Sequence, residues 1–471
     1  MKICFILEGC YPYVYGGVST WVNQYILSKP ECEFTLLTIG ANKKDRHKFV
    51  YDIPKNVVEV QEIFLDEESE NHKGKVTKYI TSDTFIAEIR KLTLGKKVDW
   101  KNIFEEVKND NWNVNRFFEG KQYLKIIKDL SKKELKTHGF IENFFGIKSM
   151  LKPLLELLSI KIPDADIYHS ASTGYAGILG ALAQYKTGKP FIVTEHGIYP
   201  REREEELLAC NWLDESMKKI WIQFFYNISS IAYKKATFVT SLFQAAKATQ
   251  IALGCDKSKC FVIPNGIHYE QYEILPDKKE NGLIDIGAFI RFSRIKDVKT
   301  LLYSFYETHS QCPQTRLHIF GATNDKEYKK ECLEIIKSLG MENYITIYGQ
   351  IQSIEYIPKM DFTILTSISE GQPLTILESF ASKRPVVCTN VGCCKELING
   401  NHDGIGKAGI CCTPMDIAGI AKGMIRLCED SHLRKEYGKN GLERVKKEYT
   451  YEKMINQYFE LYEKGIKNWQ E

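Results

Sequence analysis

The chain has 471 residues, too many for one ordinary domain, and a hydrophobic content of 44% that supplies sizeable cores. Basic residues number 64 and acidic residues 60, a formal net charge of +4, which is too even to argue for a nucleic-acid partner or a membrane surface. The 14 cysteines contain no C-x-x-C pair, and the doublets Cys393-Cys394 and Cys411-Cys412 suit no common zinc pattern, so they read as reduced thiols.

The opening "MKICFILEGC" carries an apolar stretch too short for a secretory signal. No apolar run approaches the roughly 20 residues that span a bilayer. A cytoplasmic protein is expected, peripheral to the inner face of a membrane only through partners. "KICFILEG" predicts a strand ending in Gly, and Gly16-Gly17 follow it. "VSTWVNQYILSK" sets Val18, Trp21, Val22, Tyr25 and Ile26 at helical spacing, and "EFTLLTIG" predicts a second strand. That rhythm belongs to a parallel α/β sheet, which binds ligands at the C-terminal ends of its strands. The loop 8–17 is therefore expected at a ligand edge.

Residues 66–150 break the rhythm. "DEESENHKGK" reads as a solvated loop, and stretches such as "KQYLKIIKDLSKKELK" read as helical, so the region is taken as an insertion. Then come the strand "ADIYHSAS", the helix "GYAGILGALAQYKTG", the strand "PFIVTEHG" and the helix "MKKIWIQFFYNISSIAYKKA". The strands "TFVTSL" and "CFVIPNGI" follow, and "HYEQYEILPDKKENG" reads as a linker. A second series runs through the strands "LIDIGAFI", "TRLHIFGA", "ITIYGQI", "DFTILTS" and "PVVCTNVG". Its helices are "VKTLLYSFYETHSQ", "KEYKKECLEIIKSLG" and "PLTILESFASK". The tail "TYEKMINQYFELYEKG" is an amphipathic helix with Thr450 as N-cap. The expectation is two Rossmann-like domains, 1–275 and 276–449, and a final helix, 450–471, returning to the first through Tyr458, Phe459 and Tyr462.

Several residues at the strand edges can carry chemistry. "EGQPLTILE" places Glu370 before a helix and Glu378 about one and a half turns into it. Pro373 suits the helix start, and the free N–H groups of Leu374 and Thr375 form an anion site. Taken alone, the two glutamates read first as a solvated capping carboxylate and a surface glutamate, but the flanks are too apolar for a solvated surface and cationic residues point to the same edge. "RFSRIKD" offers Arg291 and Lys296 as a clamp for a diphosphate, or an ordinary basic loop. Gly16 and Gly17 allow close approach of a phosphate, and His196 ends a strand at the ligand edge. Asp164-x-Asp166 has the form of a metal-binding pair, but it precedes a strand and is read as structural.

The motifs "YGGVS", "TEHG", "PNGI", "RFSRIKD" and "SEGQPLTILE", followed by "VGCCKELI", occur in that order. With them the chain resembles glycosyltransferase family 4, retaining enzymes of the GT-B fold. Within that family it is similar to the PelF-type exopolysaccharide glycosyltransferases, through "ILEGCYPYVYGGVSTWV", "TEHGIYPRERE" and "TSISEGQPLTILESFASKRPVV". The resemblance implies two domains facing a central cleft, a UDP-hexose donor such as UDP-glucose, and no cofactor or metal. It implies a growing exopolysaccharide or other glycan as acceptor, and a membrane-bound polysaccharide synthesis complex as a candidate partner.

By resemblance, Glu378 holds the ribose, Glu370 lies against the donor sugar, and the amides of Leu374 and Thr375 meet the phosphate and sugar. Arg291 and Lys296 stabilise the leaving diphosphate, Gly16 and Gly17 contact phosphate, His196 reaches the sugar, and backbone at Ile351 reads uracil. Asp297 stands where the family often has Gly, and Cys393-Cys394 where small residues are common. A UDP-sugar epimerase of the same fold and a non-catalytic UDP-sugar-binding subunit are the competing readings.

Overall fold

β1 (Lys2–Glu8) is the centre of the first half of the chain. Ile3, Cys4, Phe5, Ile6 and Leu7 are buried and only its two ends lie near solvent, the mark of a strand covered on both faces. With β2 (Glu33–Gly40), β3 (Val57–Phe64), β4 (Ile167–Ser170), β5 (Phe191–Glu195), β6 (Phe238–Ser241) and β7 (Cys260–Val262) it forms a sheet. The order is β3-β2-β1-β4-β5-β6-β7, and every pairing is parallel. The computed structural model describes residues 1–67, 81–109, 112–133, 135–136, 139–275, 278, 281–323 and 325–470. Residues 68–75 of the expected solvated loop, and 276–277 and 279–280 of the expected linker, lie outside them.

The 66–150 region holds the helices Asp83–Thr93, Trp100–Val107, Val114–Glu119 and Lys121–Lys133 and the start of Phe140–Leu158. Their apolar faces, including Phe85, Phe104, Phe117, Tyr123 and Leu151, join the same core as Ile6 and Val193.

The chain divides into two compact units: the second takes Ile263–Tyr458 and the short stretch Leu242–Ala245, and the first takes the rest. The second contains β8 (Ile284–Phe289), β9 (Thr315–Phe320), β10 (Ile345–Gly349), β11 (Phe362–Leu365), β12 (Val386–Thr389) and β13 (Gly409–Cys412). Their order is β10-β9-β8-β11-β12-β13, again parallel throughout. Both sheets are Rossmann-like. Strand order reverses between β1 and β4 in one and between β8 and β11 in the other, and the loops after those strands are where doubly wound sheets bind ligands.

The last helix, Tyr451–Gln470, contributes residues to both units, and those from Phe459 onward belong to the first. There Tyr462 Oη lies 2.5 Å from Nδ1 of the buried His169, and its ring meets Tyr25 edge-on at 5.8 Å. Lys29 Nζ sits 4.1 Å from the centroid of the Phe459 ring. Among the described residues no helix is long and apolar enough to cross a membrane.

Candidate functional site

In the second unit, the loop after β8 and the loop after β11 meet at the switch point. Lys296 ends a 3-10 turn, Arg294–Lys296, and its Nζ lies 2.5 Å from Glu370 Oε1, with both side chains largely buried. Ser367 Oγ donates to the same carboxylate oxygen at 2.5 Å. The main chain ties the loops further: Ile368 N donates to Ile295 O at 2.8 Å, and Thr366 Oγ1 to Lys296 O at 3.1 Å. Asp297 follows with φ 46°, a left-handed conformation that explains why Gly is common here. Asp tolerates that region and also accepts from Thr300 N at 3.3 Å, capping the helix Val298–Gln311. Arg291 is exposed on the same loop.

Pro373 is the N-cap of the helix Leu374–Ala381, one position earlier than a proline inside the first turn. Leu374 and Thr375 supply first-turn N–H groups that have no partner within a helix. Gly392 seals the loop from the other side. Its φ is +53°, and an added Cβ would lie 2.2 Å from Glu370 O and 2.4 Å from Gly371 O. Cys393 N then donates to Gly371 O at 3.1 Å, so Gly392 makes the tight turn and Cys393 and Cys394 are buried behind it.

Glu378 faces a different environment. Burial pushes its carboxyl above the usual carboxylate range, and hydrogen bonds from the Ser353 and Tyr272 hydroxyls oppose that push. Burial and the nearby Glu378 charge push the Tyr272 phenol up in turn. Ser353 opens the turn just after the Ile351 loop, so that loop, the helix start and Glu378 share one end of the sheet. Tyr272 sits in the helix Glu270–Glu273, within the segment expected to be a linker. Neither Tyr272 nor Gln372 was singled out from the sequence. Gln372 is buried, and its Oε1 accepts from Asn265 N at 2.7 Å, joining "PNGI" to "EGQPLTILE". Both motifs were visible, but not that one holds the other.

In the first unit, Gly16 caps the helix Gly17–Ser28 with an extended φ of 176°. Neither Gly16 nor Gly17 would bring a Cβ within 4 Å of any described atom, so protein packing does not demand glycine there. Trp21 of that helix stands edge-on to His196 at 5.1 Å, linking the glycine pair to the end of β5. The His196 Nε2 is enclosed without a hydrogen-bond partner among the described residues, and burial draws the imidazole down to about 4. Its neighbour Glu195 points the other way, as strand alternation requires. It accepts from Thr173 Oγ1 at 2.8 Å, Tyr233 Oη at 2.6 Å and Gln250 Nε2 at 3.0 Å.

Glu8, at the end of β1, is a further candidate that the sequence reading passed over. It accepts from Tyr199 Oη at 2.9 Å and from Ala176 N at 3.2 Å, at the start of the helix Tyr175–Thr187. Burial raises its carboxyl above the usual range. Asp164 and Asp166 lie at the opposite end of the sheet. Asp164 pairs with Lys189 at 2.9 Å, and Asp166 accepts from Lys2 N at 2.8 Å.

Comparison with known proteins gives this geometry a context. An uncharacterised glycosyltransferase of Methanocaldococcus jannaschii is 29% identical over 45% of this chain and 59% of its own length, so the chain spans less than two thirds of that relative. The MMP alpha-(1->4)-mannosyltransferase of Mycolicibacterium hassiacum is 21% identical over 64% of this chain and 71% of its own. Anabaena HepE in complex with UDP superposes with a TM-score of 0.60 at 15% identity, over 98% of this chain and 99% of that one. Sucrose-phosphate synthase from Thermosynechococcus elongatus does so at 0.60 and 16% identity, over 98% of each chain. These likenesses show the GT-B fold. Residues 275–444 match the family described as glycosyl transferases group 1, and residues 1–258 match the family described as a domain of unknown function, DUF3492, to which the chain belongs.

Proposed function

We propose that the chain is a retaining, metal-independent hexosyltransferase of the family-4, Pel-like type, moving glucose or a related hexose from a UDP-sugar to a growing exopolysaccharide or other glycan. The observation that carries this reading is the end of the second sheet, where Glu378, the Ile351 loop, the helix start at Leu374 and Thr375, and the Lys296–Glu370 pair occur together. It is supported by the solved relatives, since Anabaena HepE has been seen with UDP and with UDP-glucose.

Each part has a chemical task in this reading. Glu378 accepts from the ribose hydroxyls, and the Ile351 backbone meets the uracil. The diphosphate takes the first-turn N–H groups, with Arg291 beside them and Lys296 shifting from Glu370 toward the developing charge. Fixed donors aimed at a leaving group lower the barrier because they need little reorganisation. Glu370, released from Lys296, turns to the hexose hydroxyls. The assignments of His196 to the sugar and of Gly16 and Gly17 to phosphate rest on the resemblance and on the geometry of their own unit. A neutral His196 imidazole suits a hydrogen bond to a sugar hydroxyl without adding charge.

Calorimetry with UDP in the presence of a chelator tests the reading. UDP is expected to bind without metal, Glu378→Ala to weaken that binding, and Glu370→Ala to spare it while slowing sugar transfer. Binding that vanishes in chelator and returns with magnesium would overturn metal independence. Equal defects in both variants would overturn the division of roles.

A further inference from the structure

We propose that the outer face of the helix Lys121–Lys133, together with the start of the helix Phe140–Leu158, docks directly on an anionic lipid surface. The helix Lys121–Lys133 buries Tyr123, Ile126, Ile127 and Leu130. Its exposed residues Lys121, Leu124, Lys125, Lys128 and Lys132 fall at i, i+3, i+4, i+7 and i+11, a single stripe on the opposite face. No carboxylate interrupts that stripe. Among the described residues none of its four lysines has an ion-pair partner, and Asp129, at its flank, is held by Arg90. The even charge of the whole chain hides this local excess.

Apolar side chains stand beside the stripe. Phe140 is 44% exposed, Ile141 69% and Phe145 61%. The Phe144 ring lies 5.1 Å from that of Tyr123, within a turn of Lys121 and Lys125, and Phe140 and Phe145 flank Phe144 at 6.3 and 5.2 Å. Tyr123 Oη donates to Phe144 O at 2.8 Å, so the two helices are fixed to each other and the exposed rings sit on a firm base. Glu142, in the same first turn, is occupied as a cap, accepting from Gly139 N at 3.0 Å. Exposed rings beside unpaired lysines suit a bilayer surface. The rings enter the headgroup region, the lysine stems lie along it, and the ammonium groups reach phosphate. A stripe of one sign complements a surface of uniform negative charge, as anionic headgroups present. This attachment is direct, in contrast to the expected one through partners only, and it does not depend on the glycosyltransferase reading.

Flotation of the full chain with vesicles tests this, using phosphatidylcholine alone and an equal mixture of phosphatidylcholine and phosphatidylglycerol. Binding to the mixed vesicles is expected at physiological salt and should fall steeply as salt is added. Lys121→Gln, Lys125→Gln, Lys128→Gln and Lys132→Gln combined should lower the partition coefficient roughly tenfold or more. Ile141→Ser with Phe145→Ser should lower it roughly fivefold or more and leave the salt dependence in place. All these positions are exposed, so circular dichroism of both variants should match the parent. Replacing the exposed Lys326, Lys330, Lys435 and Lys439 of the second unit by Gln makes the same change in net charge and should leave binding as it is in the parent. No binding to the mixed vesicles, equal binding to the neutral ones, or equal loss in the two lysine variants overturns the proposal. Full retention of binding in the Ile141/Phe145 variant overturns the apolar contact.

Discussion

Removing either partner of the Lys296–Glu370 pair should destabilise the second unit unequally. The two side chains are 17% and 11% exposed, so each charge is largely withdrawn from water. Breaking a fully buried pair by deleting one partner costs about 3–5 kcal/mol, because the other charge stays behind. Lys296→Met leaves the Glu370 carboxylate with only Ser367 Oγ, and the residual exposure brings the expected loss to about 2–3 kcal/mol. Glu370→Gln leaves an ammonium on a flexible stem that reaches solvent, so its loss is about 1–2 kcal/mol. The double substitution removes both charges, and a coupling energy of about 1–2 kcal/mol should remain between the singles. Urea unfolding of the four proteins measures this. All 6 tryptophans lie in the first unit, so circular dichroism, or hydrogen exchange over 291–297 and 366–373, is needed to follow the second. Singles that add to the double within about 0.3–0.5 kcal/mol would show that the pair is not coupled, and would refute the argument.

The other predictions rest on single residues. A carboxyl raised by folding stabilises below its ordinary pKa of about 4.3 and loses that contribution as pH rises through its folded value. Glu378→Gln should therefore gain stability relative to the parent from pH 4.5 to 7.5 while binding UDP more weakly, and a gap that narrows over that range contradicts the burial argument. His196 is drawn down to about 4, so its imidazole NMR signals should show no protonation above pH 5.5, and a midpoint near 6.5 would mean the ring is solvated. Gly392→Ala should lower the melting temperature well beyond Gly340→Ala. Both have positive φ, worth about 1–2 kcal/mol, but only at Gly392 would the new Cβ strike backbone. Equal shifts would show that the Glu370 loop moves freely.

The parallel strands were legible because both their faces are covered, which makes runs such as "CFILE" and "VVCT" continuous in apolar residues. β3 and β13 were not: in β3 the adjacent Val58 and Glu59 are exposed and most other residues are only half-buried, and β13 is only four residues long. The helix Gln244–Ala252 was missed between two strands because it buries only Ala246 and Gln250. Among the site residues, those in the recognisable motifs could be named in advance. Tyr272 could not, because a tyrosine in "HYEQYE" carries no sign that its hydroxyl will face a glutamate more than a hundred residues later. The pairing of Lys296 with Glu370 was hidden for the same reason. Sequence spacing marks which loops follow which strands, but only the strand order puts the loops after β8 and β11 side by side.

That strand order also explains why a charge stands at each end of "EGQPLTILE". Glu370 is paired with the Lys296 ammonium, which can exchange it for another anion. Glu378 is partly buried, and its desolvation, which raises the carboxyl, is opposed by two hydroxyl donors, Tyr272 and Ser353. In the proposed reading, an incoming ribose brings two hydroxyls of the same kind. Replacing one set of O–H donors by another strands no buried acceptor, whereas a ligand lacking them would leave the carboxylate unsatisfied at about 1–3 kcal/mol or more. The two glutamates are thus not interchangeable: one answers to charge, the other to hydroxyl donors. Deoxyribose in place of ribose should weaken binding to the parent protein and have much less effect once Glu378 is replaced by Gln. A deoxy penalty of the same size in Glu378→Gln would place the ribose elsewhere.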